Sequence, residues 1–462
     1  MKTIITNISR ILLSLTFILS GFVKAVDPAG TQYKIQDYAE AIGMPGLLPD
    51  WMTMTASIAL STVEFSIGVL LLFAISRRVV SKLVLLFMTI MTGITVWIYV
   101  ADPVSDCGCF GDAIRLSNGE TLAKNIILLV LSAIVAWKPL KMMRMVSLNN
   151  QWIVFHYTII FILGISIYSL YMLPLFDFRP YHIGANIKEG MEIPEGAEQS
   201  EFETTFIMEK DGVQKEFSLD DYPDSTWTFI DSKTKVIKEG YVPPIHDFSI
   251  QQTEGDGDDI TEEILDNKDF TFLLIAPHLE TADDSNFGDI DVIYDYAQEH
   301  GYPFYCLTAS NEDAITQWKD LTGAEYPFCT TDETTLKTII RSSPGLVLIK
   351  DARVVGKWSH HELPVAELEN TGKLTDRMVS DMEPASPAKK ITYILMWYVL
   401  PLLLLVIADR LWMWSRWLKK EERTIHSNII VKHLLKTKNN GKENCSRQLE
   451  DEQEPAGGRS SR

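Results

Sequence analysis

Residues 79–100 read VVSKLVLLFMTIMTGITVWIYV, with Lys82 the single charged side chain. Crossing a bilayer as a helix takes roughly 20 apolar residues, because each residue rises only about 1.5 Å. This stretch is long enough, and comparable ones lie near 8–26, 54–75, 121–137, 152–175 and 390–408. The composition agrees. Of 462 residues, 46% are hydrophobic and 22% charged, with a mean hydropathy of +0.04, so the apolar residues must be gathered in blocks. The first block could be a secretory signal. Lys24 stands where a small-residue cleavage site belongs and further spans follow, so it reads as a retained helix. The lipid bilayer is therefore the first expected partner.

Basic residues set the orientation. Lys2 and Arg10, then Arg77, Arg78 and Lys82, then Lys138, Lys141 and Arg144, and finally Arg410, Arg416, Lys419, Lys420 and Arg423 all fall on one side of six spans. That side should be the cytoplasm, with both termini there. The loops 27–51 and 101–120 and the segment 177–388 then face outward. Trp97, Trp137, Trp152, Trp397, Trp412 and Trp414 lie near span ends, as interface anchors do. The net charge of −19 argues against nucleic acid as a partner. Residues 410–462 form a basic and then polar tail, expected to be disordered beyond 438.

The long outward segment divides at Pro243-Pro244. Residues 177–244 alternate apolar and polar positions around turns and read as a small β-meander. Strand and helix patterns then alternate: strand 270–276, helix 290–300, strand 302–308, a helix opened by Asn311, helix 334–341, and a hairpin around Asp351-Ala352. Over residues 245–366 this order resembles the thioredoxin fold. The resemblance implies a cis-proline before the hairpin, which makes Pro344 the candidate. It also implies Cys-x-x-Cys after the first core strand, where a helix N-terminus lowers the thiol pKa. That turn reads Ala276-Pro277-His278-Leu279-Glu280, so His278 and Pro344 mark a site without its thiols. A binding or scaffolding role is expected of this domain. Cys306 and Cys329 are either separate buried thiols or a structural disulfide.

The most informative stretch is Asp106-Cys107-Gly108-Cys109-Phe110-Gly111-Asp112, in the loop between the third and fourth spans. A disulfide closed across one glycine would be strained, and strained exposed disulfides are the labile, oxidising ones. Cys107 and Cys109 are thus a candidate redox pair, with a static loop staple or two free thiols as the plainer reading. A metal site is weaker, because the loop holds no histidine and two thiolates do not complete a zinc site. Glu64 sits inside the second span, where a carboxylate defaults to a functional reading. Lys24 and Lys124 are its candidate partners, and the group either locks the bundle or handles protons.

These residues carry a second resemblance. Arg10, Ser20-Gly21-Phe22-Val23-Lys24 with Pro28, Glu64 with Gly68, the Cys107–Gly111 loop and Lys124-Asn125 resemble the DoxX and MauE-like four-helix membrane proteins over residues 1–140. With a fifth span (150–176), the thioredoxin-like domain and a sixth span (388–409), the chain resembles a two-part protein common in Bacteroidetes. The resemblance implies a helical bundle in the bacterial inner membrane with a periplasmic α/β domain, and a redox-associated role. MauE relatives are linked to methylamine utilisation, through maturation of a disulfide-rich dehydrogenase subunit. DoxX relatives are linked to quinone-coupled sulfur oxidation, which makes quinone a possible cofactor. The layout is also similar to vitamin K epoxide reductase-like enzymes, although those use Cys-x-x-Cys and often a shuttle pair in another loop. The loop 27–51 has no cysteine, so a periplasmic thiol-bearing partner would supply the missing dithiol. The alternative is a non-catalytic scaffold whose thioredoxin-like domain binds a partner protein.

Overall fold

The computed structural model describes residues 2–421, apart from 45, 47, 105–106, 195, 198–200, 211–212, 219–227, 239, 255–256, 370–371, 383–385 and 420; for 201–238 it describes backbone only. The tail beyond 438 lies outside the described residues. Helices α1 (Lys2–Val26), α3 (Asp50–Leu72), α4 (Arg77–Ala101), α5 (Asn118–Trp137) and α6 (Gln151–Tyr171) are long and apolar enough to cross a membrane, as is a final helix that begins at Pro387–Ile394 and runs to residue 419. A short polar helix α2 (Pro28–Ala41) follows α1. Asp27 caps it, its side chain accepting from the Gly30 amide, with Pro28 in the first turn.

Small residues let α1 and α3 touch backbone to backbone. A Cβ on Gly21 would lie 2.4 Å from the Phe65 nitrogen, and one on Gly68 would lie 2.8 Å from the Ile18 nitrogen. Helices in lipid associate through such close packing, since lipid is as apolar as their own side chains. The faces left exposed carry residues such as Leu15, Leu86, Ile127 and Ile160, as lipid contact requires.

The basic turns meet at one end of the bundle. Arg10 donates to the Met143 carbonyl and Arg77 to those of Leu140 and Met142. At the same end Asp409 of the final helix accepts from the Ser147 amide at 2.8 Å and from Asn150 at 2.7 Å. The cysteine loop, α2 and the α/β domain lie at the opposite end.

The segment after α6 corrects one expectation. Residues 184–187 do not start a meander. They lie along the edge of the α/β domain, where Gly184 and Ile187 donate to the carbonyls of Val354 and Ala352. Only β1 (Glu201–Lys210), β2 (Val213–Ser218) and β3 (Thr228–Lys238) form a separate sheet, antiparallel in the order β2-β1-β3. The first strand is central, so the connectivity is not that of a meander. Alternation identifies strands but does not choose their neighbours.

The α/β domain is thioredoxin-like. Its sheet runs β4-β7-β6-β5-β8-β9, formed by β4 (Gln251–Gln252), β5 (Phe270–Ile275), β6 (Phe304–Thr308), β7 (Phe328–Thr330), β8 (Gly345–Lys350) and β9 (Arg353–Ser359). β5, β6 and β7 are parallel, and β8 returns antiparallel to β5. β5 is buried at every position because apolar layers cover both sides of the sheet. Helices Phe287–His300, Glu312–Thr322 and Glu333–Ile339 connect the strands, the second capped by the Asn311 side chain accepting from the Ala314 amide. The Ser343–Pro344 peptide bond is cis.

Candidate functional site

Cys107 and Cys109 sit half-buried on the α4–α5 loop, and both are free thiols. Their backbone is held from two sides. Tyr38 of α2 donates to the Cys107 carbonyl at 2.7 Å, and Ser20 of α1 lies 2.6 Å from the Cys109 carbonyl. Gly108 adopts φ +59°, and a Cβ there would come within 3.0 Å of the Lys34 side chain. The Gly111 amide closes the turn onto the Gly108 carbonyl. A left-handed residue between the cysteines is what lets both sulfurs share one side of so tight a loop.

The two thiols differ. Cys107 hydrogen-bonds to Cys109, and that contact, with burial, pushes the Cys107 thiol up. The same hydrogen bond, then Lys124 and Lys24, brings Cys109 down to about 6, against the opposing effects of burial and Glu64. The arrangement therefore favours the thiolate at Cys109 over that at Cys107. Lys124 holds its ammonium 4.4 Å from the centre of the Phe110 ring, inside the same loop. Asn125, one residue on, faces the bundle and donates to Thr95 at 2.7 Å.

Directly beneath lies the intramembrane carboxylate. Lys24 and Glu64 form an ion pair at 2.7 Å, with side chains 8% and 9% exposed. Ser20 bridges this pair to the loop, lying 2.7 Å from Glu64 and 3.1 Å from Lys24. Lys24, not Lys124, is therefore the partner of Glu64. Beside it the aromatic side chains close on themselves, with Phe65 at 5.6 Å from Tyr398 and Tyr398 stacked on Phe161 at 4.0 Å.

The turn that replaces Cys-x-x-Cys is occupied by charge. His278 pairs with Glu333 at 2.9 Å, and Glu280 accepts from Ser310 at 2.7 Å. Cys306 and Cys329 do not pair. They lie on neighbouring strands, but Cys306 sits opposite Phe328 while Cys329 sits opposite Leu307, so the two thiols face opposite sides of the sheet. Burial raises both.

What the sequence did not announce is the junction between the two parts. Arg341, three residues before the cis-proline, makes a two-pronged ion pair with Asp27 at 2.9–3.1 Å. Its guanidinium also lies over the Tyr33 ring and 3.8 Å from Asp112 of the cysteine loop. Burial would raise the Asp27 carboxyl, but Arg341 and then Arg179 outweigh it and hold it below the usual range. A second buried network, in which Lys357 donates to Asp177 at 2.6 Å and Arg179 pairs with the same carboxylate at 2.8 Å, fixes the strap after α6 to β9. Between bundle and α/β domain a cavity of about 470 Å³ remains, lined by Lys24, Gly111, Lys337 and Arg341 among others. The side of the thioredoxin-like domain that carries Arg341 and Glu333 thus faces the loop that holds the thiols.

Residues 2–138 match the family model described as Methylamine utilisation protein MauE. The first four spans are a MauE-type domain. Residues 202–239, the separate three-stranded sheet, match a domain of unknown function, DUF8463. Among solved structures the α/β part is similar to the solution structure of a candidate protein disulfide isomerase from Bacteroides thetaiotaomicron, at 16% identity and a TM-score of 0.22, covering 27% of this chain and 82% of that one. No curated protein sequence matches the chain.

Proposed function

We propose that the MauE-type bundle carries out thiol–disulfide exchange through Cys107 and Cys109, in support of exported-protein maturation. The carrying observation is geometric: two free, half-buried thiols in contact across a left-handed Gly108, their backbone held by Tyr38 and Ser20 above the buried Lys24–Glu64 pair. The Cys109 thiolate attacks one sulfur of a partner disulfide, and the other partner sulfur leaves as a thiolate. Cys107 then gives up its proton and attacks the Cys109 sulfur, expelling the second partner sulfur. The partner gains two electrons and two protons, one proton from Cys107 and one from solvent, and the loop is left as a disulfide. A partner dithiol reverses the sequence.

The partner class is a thiol-bearing protein on the side of the membrane that holds the loop. The basic turns gathered at the other end support a cytoplasmic placement there, and so a periplasmic α/β domain in an inner membrane. The α/β domain, without thiols in its own turn, serves as the scaffold beside the loop.

Acid-quenched membranes labelled with an impermeant maleimide polymer test this. Wild type should show a band shift that changes with mild reductant, and Cys107→Ser should trap a mixed disulfide through Cys109. Thiols that stay free in every preparation, or a bond that mild reductant cannot open, would sink the exchange mechanism.

A further inference from the structure

The Ser20 hydroxyl has one proton and three polar neighbours. Its oxygen lies 2.7 Å from Glu64, 2.6 Å from the Cys109 carbonyl and 3.1 Å from the Lys24 ammonium. The ammonium only donates and the carbonyl only accepts. When Glu64 is a carboxylate, it competes with the Cys109 carbonyl for the single hydroxyl proton. The carboxylate and the Cys109 carbonyl thus share one hydroxyl, which couples Glu64 to the backbone of Cys109. A simple helix staple needs only the Lys24–Glu64 contact. Ser20 adds a second α1–α3 hydrogen bond, and it alone of these groups also reaches the Cys109 carbonyl.

Charge runs along the same path. Lys24 touches Glu64 directly, and both act on Cys109 from below, with opposite signs. The groups around Cys109 are Cys107 on its own loop, Lys24 on α1, Glu64 on α3 and Lys124 on α5, with Lys34 and Tyr38 of α2 against the neighbouring backbone. Of these, only Glu64 is an acid inside a span.

We propose that Glu64 governs the reactivity of the cysteine pair from inside the bundle, acting as a positioning residue through Ser20 and Lys24. It touches no sulfur. The inference rests on the thiol-exchange reading and assigns the intramembrane ion pair to that reaction.

The test is the pH profile of Cys109 alkylation. The full chain, reduced and in detergent, is treated with iodoacetamide between pH 4.5 and 9, and modification is followed by peptide mass spectrometry. Glu64→Gln removes the anion and leaves Lys24 to the thiolate, so the midpoint should fall by about half a pH unit or more. Glu64→Asp should return it towards wild type. Ser20→Ala keeps both charges, so it should change the plateau rate while moving the midpoint little. If Glu64→Gln fails to fold, the neutral double variant Lys24→Gln with Glu64→Gln avoids a lone buried charge, and its midpoint should rise above wild type. A Glu64→Gln or double-variant profile that superimposes on wild type overturns the proposal. The two readings fail separately. Loss of partner exchange with the Glu64 shift intact sinks only the exchange. Intact exchange with no shift sinks only the role of Glu64.

Discussion

The cysteine loop of the bundle and the thioredoxin-like turn at 276–280 are the two places where thiol chemistry could be housed, and they are built in opposite ways. The turn keeps the surrounding fold, cis-Pro344 included, and has replaced sulfur with a half-exposed ion pair between His278 and Glu333. The loop has no such fold around it, yet it has both thiols, a left-handed glycine between them, and a buried ion pair underneath. A protein fold supplies position, whereas reactivity comes from the charges and donors around the reacting atom. On the proposed reading the two are divided between domains, and Arg341 joins them.

That division can be broken most directly at the junction. Arg341→Ala leaves Asp27 buried without its guanidinium, and losing one partner of a buried pair costs about 3–5 kcal/mol. The expected result is a lowered thermal midpoint for the full chain and new protease cleavage in the strap around residues 172–186, with the MauE-type bundle intact. An unchanged midpoint and cleavage pattern would show that the two parts are held by something else.

The sequence shows the thiols and Glu64 with its two candidate lysines, but not which lysine pairs with it nor the contacts that join the two parts. The spans were legible because bilayer thickness imposes a length, and Glu64 because a carboxylate is costly there. Ser20 was not, since a serine in a helix is ordinary until its neighbours are known. The Arg341–Asp27 pair spans 314 positions, and nothing local marks either residue. For Cys306 and Cys329 the sequence leaves two readings open, because facing depends on strand register, which alternation alone does not fix.

A smaller effect is expected inside the loop. Gly108→Ala puts a side chain at φ +59° and against Lys34, and a left-handed residue costs about 1–2 kcal/mol. The loop should loosen, and the reduction potential of the pair, measured against glutathione buffers, should shift. A potential equal to wild type would mean that the glycine is not what fixes the sulfurs. Lys124→Met addresses charge rather than shape. Cys109, lowered to about 6, should be alkylated fully at pH 7 and lose reactivity as pH falls through 6. Without the Lys124 cation that midpoint should rise, by up to about one unit, or tenfold in thiolate at a given pH below it. A midpoint that does not move would assign the activation to Cys107 and Lys24 alone.

The smallest change should come from the thioredoxin-like turn, and it sharpens the comparison because that fold elsewhere places its chemistry there. His278→Ala removes an ion pair whose members are 42% and 43% exposed, and such surface pairs contribute about 0–1 kcal/mol. Exchange at Cys107 and Cys109 should stay within about twofold of wild type, since His278 is engaged with Glu333 rather than with the loop. Glu333 would keep Lys337 as a partner, so the helix Glu333–Ile339 should hold its place under Arg341. If His278→Ala instead cut exchange as deeply as Cys109→Ser, the turn would be part of the reacting site. The separation of position from reactivity drawn here would then be wrong.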